Sequence, residues 1–304
     1  MTIKRLSFTT MLVAYILIVF GGFVASSKSG MGCGPEWPLC NGAVIPSLQG
    51  KTLVEFTHRF IGAILVVLSV ILLIKVWRSN LEKPARSIAY TMMGLLVLQC
   101  LLGALVVLLE LPTFVIAIHL IVAMVFFYCV IWLWHASTPV SKTDHTPKGM
   151  ISHLNIVIGL LLLTIGLGAY IKHDYYGLTC GWLGCRGSLL PVTAGQILQT
   201  LHRVLAVISA LYILVLSILA YAKGWGQHLR RRLELAGFIV FVQLCAGVMT
   251  ILSFIALPWA VLHLAIGTLL LAVLFEAQVY IVFQQDYAYK DKVQNKDVSS
   301  ISRI

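Results

Sequence analysis

The sequence predicts an all-α integral membrane protein: eight transmembrane helices in two pseudo-symmetric four-helix bundles. Three observations predict it. The 304 residues are 60% hydrophobic and only 11% charged, too apolar for a soluble domain of this length. Apolar stretches near 20 residues recur along the chain, the length that crosses roughly 30 Å of hydrocarbon. Two histidines, His58 and His119, recur as His202 and His263 at one offset of 144.

The spans are expected at 6–27, 52–77, 87–109, 113–135, 151–171, 193–222, 234–256 and 259–283. The first carries no charge from Leu6 to Ser27. That run exceeds the apolar core of a cleaved signal, about 7–15 residues, and reads as a membrane helix. In the second, the charge-free run between Arg59 and Lys75 reaches only roughly 22 Å. The span must therefore include Arg59, His58 and Glu55 at one end. His119 lies about six residues into the fourth span, entered from the same side as the second. After it, the polar stretch from His135 to Met150 reads as the connection between halves. This divides the chain into a bundle over 1–140, a cytoplasmic linker over 141–150 and a second bundle over 151–304.

The repeat extends beyond histidine. Gln99 and Gly103 recur as Gln243 and Gly247, and Thr57-His58-Arg59 matches Leu201-His202-Arg203. Leu111-Pro112 matches Leu257-Pro258 with a two-residue slip. Four helices per half is an even number, so both halves point the same way. Their symmetry axis should run along the membrane normal.

The net charge of +11 sets orientation. Lys4, Arg5, Lys75, Arg78, Lys83, Arg86, Lys142, Lys148, Lys223, Arg230, Arg231, Arg232, Lys290, Lys292, Lys296 and Arg303 fall on the side of the termini. Lys28, Lys51, Arg59, Lys172, Arg186 and Arg203 fall on the other. By the positive-inside rule the termini are cytoplasmic and the cysteine loops outer, in a multi-pass protein of the cell membrane. The basic residues sit in short loops with no aromatic-interleaved face, which argues against nucleic acid.

Histidine within a membrane span usually marks a site. The second and fourth helices of each half run in the same direction, so His58 can face His119 and His202 can face His263. A structural zinc site wants four ligands, and each half has two histidines and no thiolate pair at that depth. A di-iron site needs more carboxylates than the spans contain. Two imidazoles suit a haem, whose iron takes protein ligands on both faces. Arg59 and Arg203 follow the histidines directly and are candidates for pairing with propionates. Glu55 stands three residues before His58, on the same helical face, and its counterpart is the non-ionising Gln199. That asymmetry makes Glu55 the candidate acid–base residue and the first half the catalytic one. Glu276 should lie near the cytoplasmic face, far from the histidines. Cys33 and Cys40 in the first outer loop, and Cys180 and Cys185 in the corresponding loop, read as disulfides, the first pair with a redox role open. Cys100, Cys129 and Cys245 read as buried packing residues.

With these residues in view, the chain resembles the haem A synthase family over nearly its whole length. The resemblance rests on the four histidines, Glu55-Phe56-Thr57-His58-Arg59, and the loop Gly32-Cys33-Gly34-Pro35-Glu36-Trp37-Pro38-Leu39-Cys40-Asn41-Gly42. That loop departs from the family pattern by the extra Gly34 and by Glu36 in place of Asp. The resemblance implies oxidation of a haem O methyl to the formyl of haem A. His58 and His119 would hold haem O or haem A, and His202 and His263 a haem b. Haem O synthase would deliver the substrate and terminal oxidase subunits would receive the product, with the electron acceptor open. Two other classes fit parts of the pattern: a two-haem b-type cytochrome working with quinol, and a transporter built from parallel repeats.

Overall fold

The computed structural model describes residues 1–138, 146–181, 184–185 and 190–301, with side chains as far as Lys290. Among the basic residues used for orientation, Lys142, Arg186 and Arg303 lie outside the described residues, as do the side chains of Lys292 and Lys296. Among the described residues eight helices are long and apolar enough to cross a membrane. They are α1 (Ile3–Ser26), α2 (Gly50–Trp77), α3 (Lys83–Leu108), α4 (Thr113–Ala136), α5 (Met150–His173), α6 (Ala194–Ala222), α7 (Gln227–Leu252) and α8 (Leu257–Ile301). A 3-10 turn, Tyr176–Leu178, follows α5.

Two boundaries differ from expectation by more than four residues. Helix α7 begins at Gln227 rather than 234, so Arg230, Arg231 and Arg232 are helical. Charge does not end a helix; long basic side chains reach the interface from within its first turns. Helix α8 runs well past 283. There the polar segment is supported by the Lys290–Asp286 pair one turn apart, 2.8 Å, and by Lys290 bonded to Glu82 at the start of α3.

Within each half the helices form a ring: α1 packs on α2 and α4, α3 on α2 and α4, and α5 to α8 repeat the pattern. The second and fourth helices of each ring are thus diagonal partners. The halves meet through α1, α4, α5 and α8, with contacts α1·α8 and α4·α5 related by the repeat. The seam carries polar bonds that apolar helices alone would lack. Tyr15 donates to the Ala265 carbonyl at 3.1 Å, and Tyr128 to Gln278 Oε1 at 3.0 Å. Glu276 of α8 bonds His135 of α4 at 3.0 Å and is held by Arg232 of α7. This cluster lies at the ends of α4 and α8 remote from their histidines, as expected for Glu276.

The repeat is visible in the backbone. Glu110 and Leu111 before α4 have φ of 55° and 66°, and Phe254 and Ile255 before α8 have 55° and 59°. The amide of Leu111 bonds the Val106 carbonyl at 2.7 Å, and that of Ile255 bonds the Thr250 carbonyl at 2.7 Å. These turns superpose at 144 with no slip, so Leu111 corresponds to Ile255 and not to Leu257. In the first helices the offset is 147 instead: Lys28, φ 54°, corresponds to Tyr175, φ 59°. The difference is absorbed in the cysteine loops.

The cysteine expectation is met in one case of three. Cys129 is buried, whereas Cys100 and Cys245 are exposed. Both lie on α3 or α7, which touch the rest of the molecule on one side only and turn apolar residues outward on the other.

Candidate functional site

The four histidines gather in two pairs. His58 on α2 and His119 on α4 are close enough to interact electrostatically, and so are His202 on α6 and His263 on α8. Each of the four residues is half-buried. The Nδ1 atoms of His58, His119 and His263 are enclosed without a hydrogen-bond partner. His202 differs: its Nδ1 donates to the Thr164 carbonyl at 3.0 Å.

Every imidazole backs onto a glycine of the preceding odd-numbered helix. A Cβ added at Gly21 would lie 3.1 Å from His58 Cε1, and at Gly103 3.5 Å from His119 Cε1. At Gly168 it would lie 2.8 Å from His202 Cε1, and at Gly247 3.0 Å from His263 Cε1. The two pairs of glycines are equivalent under the offsets of 147 and 144. Sequence reasoning found Gly103 and Gly247 but missed Gly21 and Gly168, because the first helices carry no histidine to reveal their register. Gln99 and Gln243 lie beside the same histidines. Gln99 donates to the His119 carbonyl at 2.7 Å, and Gln243 Nε2 lies 3.5 Å from His263 Nε2.

Glu55 is buried, and both of its carboxylate oxygens are engaged. Oε2 accepts the Cys33 amide at 2.8 Å and Oε1 accepts from Arg59 at 2.5 Å. Arg59 also donates to the Leu39 carbonyl at 3.0 Å, so the pair ties the cysteine loop to the first turns of α2. Gln199 repeats half of this. Its Oε1 accepts the Cys180 amide at 2.7 Å, while its Nε2 donates to the Gly177 carbonyl at 2.6 Å. With no carboxylate opposite, Arg203 keeps its charge uncompensated, and its Nη2 is enclosed without a partner. The two arginines that look alike in sequence are therefore different in structure. Arg59 is occupied, whereas Arg203, beside His202, pairs with no carboxylate among the described residues.

Both loop pairs are bonded, Cys33 to Cys40 and Cys180 to Cys185. The first bond is wholly enclosed, with Cys33 at 0% and Cys40 at 2% exposure.

Among the described residues no cluster of three or more His, Cys, Asp or Glu could hold a bare metal ion. Two imidazoles per half fit instead a group that brings its own equatorial ligands. The glycines leave room for both rings, and the unpartnered Arg203 suits a group bearing acid side arms.

The profile of a family described as cytochrome oxidase assembly protein matches residues 4–51 and 47–275. The chain belongs to that family. Several relatives are named heme A synthase. A "Heme A synthase" of Shouchella clausii is 30% identical over 294 residues, 92% of this chain and 96% of the relative. Those of Bacillus pumilus and Bacillus cereus are 27% and 28% identical, covering 86% and 99% of this chain and 89% and 98% of theirs. The resemblance to the haem A synthase family is thereby borne out across the chain.

Proposed function

We propose that this protein is an oxidoreductase that converts a ring methyl of haem O to the formyl group of haem A, for use by terminal oxidases. The observation that carries the reading is the duplicated imidazole pair, in which only the first copy has a carboxylate one turn from its histidine. Residues 1–140 form the substrate half, with His58 and His119 gripping haem O and later haem A. Residues 151–304 form the cofactor half, with His202 and His263 holding haem b, and 141–150 links them. The protein sits in the cell membrane with cytoplasmic termini and outer disulfide loops.

The reaction is two successive two-electron oxidations, methyl to alcohol and alcohol to a hydrated aldehyde, each taking its oxygen from one water and releasing two electrons and two protons; the hydrated aldehyde then loses one water to give the formyl group. A bound haem b supplies one-electron redox chemistry to carry the electrons away. The chain's own residues do the rest. His58 and His119 hold the substrate from both faces and leave its edge accessible. Glu55 takes the proton released there, exchanging its bond to Arg59 as it does so. Arg203 would pair with a propionate of the group held in the second half, and Arg59 holds Glu55 and the cysteine loop in place beside the substrate.

Haem extraction and chromatography of the purified protein tests the reading. We expect haem b together with haem O or haem A. His58→Ala or His119→Ala should remove the latter, and His202→Ala or His263→Ala the former. Haem b alone in both halves would replace the synthase with the electron-transfer cytochrome. A protein without a Soret band would overturn both.

A further inference from the structure

His202 donates from its Nδ1 to a backbone carbonyl and His263 beside it faces the Gln243 backbone, whereas the Nδ1 atoms of His58 and His119 have no such partner. A carbonyl oxygen cannot donate, so the His202 to Thr164 bond places the proton on Nδ1 and leaves Nε2 with a bare lone pair. That is the tautomer and the constraint that a metal-ligating histidine normally receives from its outer partner. The bond depends on a residue one turn along α5. Gly168 lies four residues after Thr164, and a Cβ there would stand 2.8 Å from His202 Cε1 and 3.3 Å from Nδ1. Any side chain at 168 would push the ring off the carbonyl. The Thr164 carbonyl has two lone pairs and can accept from His202 as well as within its own helix.

The equivalent place in the first half is built differently. Gly21 opens a notch against His58, with a Cβ 3.1 Å from Cε1 and 3.8 Å from Nδ1. Yet the Nδ1 of His58 has no partner there. The ring instead lies against Phe20 of α1, centroids 6.3 Å apart and nearly parallel. Stacking fixes a plane but neither a tautomer nor a rotation within that plane.

We infer that Thr164 and Gly168 are positioning residues that lock His202 as the permanent ligand of the second half, and that the unlocked His58 makes the first half the site of exchange. The inference rests on the proposed haem reading and deepens it. A substrate site must release its product, whereas a cofactor site must not. The chain achieves the difference with backbone groups behind the second pair of rings, foremost the Thr164 carbonyl, while the ligand types remain the same in both halves.

The test is release of haem from the full-length purified protein to excess apomyoglobin, followed by chromatography of what remains. His58→Ala and His202→Ala variants assign each pigment to its half. We expect the haem of the second half to leave about ten- to a hundredfold more slowly than that of the first, the range for loss of an outer partner. Gly168→Ala should remove most of that difference. Gly159→Ala, on the same helix with open space around it, should leave it unchanged. Equal release from both halves of the wild type overturns the inference and leaves the haem reading standing, as does Gly168→Ala with wild-type release. If Gly168→Ala fails to fold, the wild-type comparison still decides. A wild type with no haem in either half overturns the haem reading itself.

Discussion

Glu55 and Gln199 hold the two disulfide loops by the same bond, each accepting the amide of its loop's first cysteine, at 2.8 Å from Cys33 and 2.7 Å from Cys180. The halves therefore agree in shape at this point and differ in charge. An amide is sufficient to hold such a loop, because Gln199 does so. The carboxylate of Glu55 is more than the architecture requires.

Glu55→Gln should accordingly fold, keep the Cys33–Cys40 bond and bind haem, yet lose methyl oxidation by about 10²- to 10⁴-fold. Pigment analysis of the variant checks this. Normal haem A output would remove Glu55 from the chemistry. Glu55→Ala should behave differently, loosening the loop as well, since the buried Cys33 amide would lose its acceptor at a cost of about 1–3 kcal/mol.

The two arginines should separate under the same substitution. Arg59→Gln leaves the Glu55 carboxylate buried and without its cation, and should destabilise the protein by roughly 3 kcal/mol. Arg203→Gln removes a cation that pairs with no carboxylate among the described residues, so thermal stability should hold while haem retention in the second half falls. Thermal unfolding and pigment content measured on both variants check the contrast. Equal losses of stability would show that Arg203 is as structural as Arg59.

Breaking the first disulfide tests whether that loop is a staple. The bond closes a loop with a sequence separation of 7, for which the cross-link is worth roughly 2–3 kcal/mol. A Cys33→Ala, Cys40→Ala double variant should lose about that much stability. If the bond only clamps, haem A output per folded molecule should stay near wild type. A collapse of output with both haems still bound would assign the pair a redox role.

The Glu276, Arg232 and His135 cluster joins α4, α7 and α8 across the seam, and Arg232 also lies 4.1 Å above the Tyr280 ring. Its groups are about one-fifth exposed or less. Glu276→Ala should cost roughly 2 kcal/mol and leave the haem spectrum untouched, because the cluster sits at the opposite helix ends from the four histidines. A spectral shift would mean that the seam transmits strain to the sites.

The eight spans, the two-half repeat and the four histidines were legible in the sequence for one reason. A membrane helix must be long and apolar, so polar residues inside it stand out and their spacing can be compared. Glycine does not stand out in that way. Gly21 and Gly168 read as two small residues among many until the coordinates set each against an imidazole. The slip assigned at Leu257-Pro258 had the same cause, since matching prolines are conspicuous and matching positive-φ turns are not.

Sequence alone thus determined the class, the order of the helices and the two histidine pairs, all consequences of side-chain chemistry repeated along a line. Tertiary structure alone decided which arginine is occupied, that Glu55 and Gln199 are equivalent loop anchors, and which histidine is locked. Those distinctions reside in hydrogen bonds to backbone groups, as from the Cys33 amide to Glu55 and from His202 to the Thr164 carbonyl. Every residue carries an amide or a carbonyl, so the letters do not reveal which of them a side chain will meet.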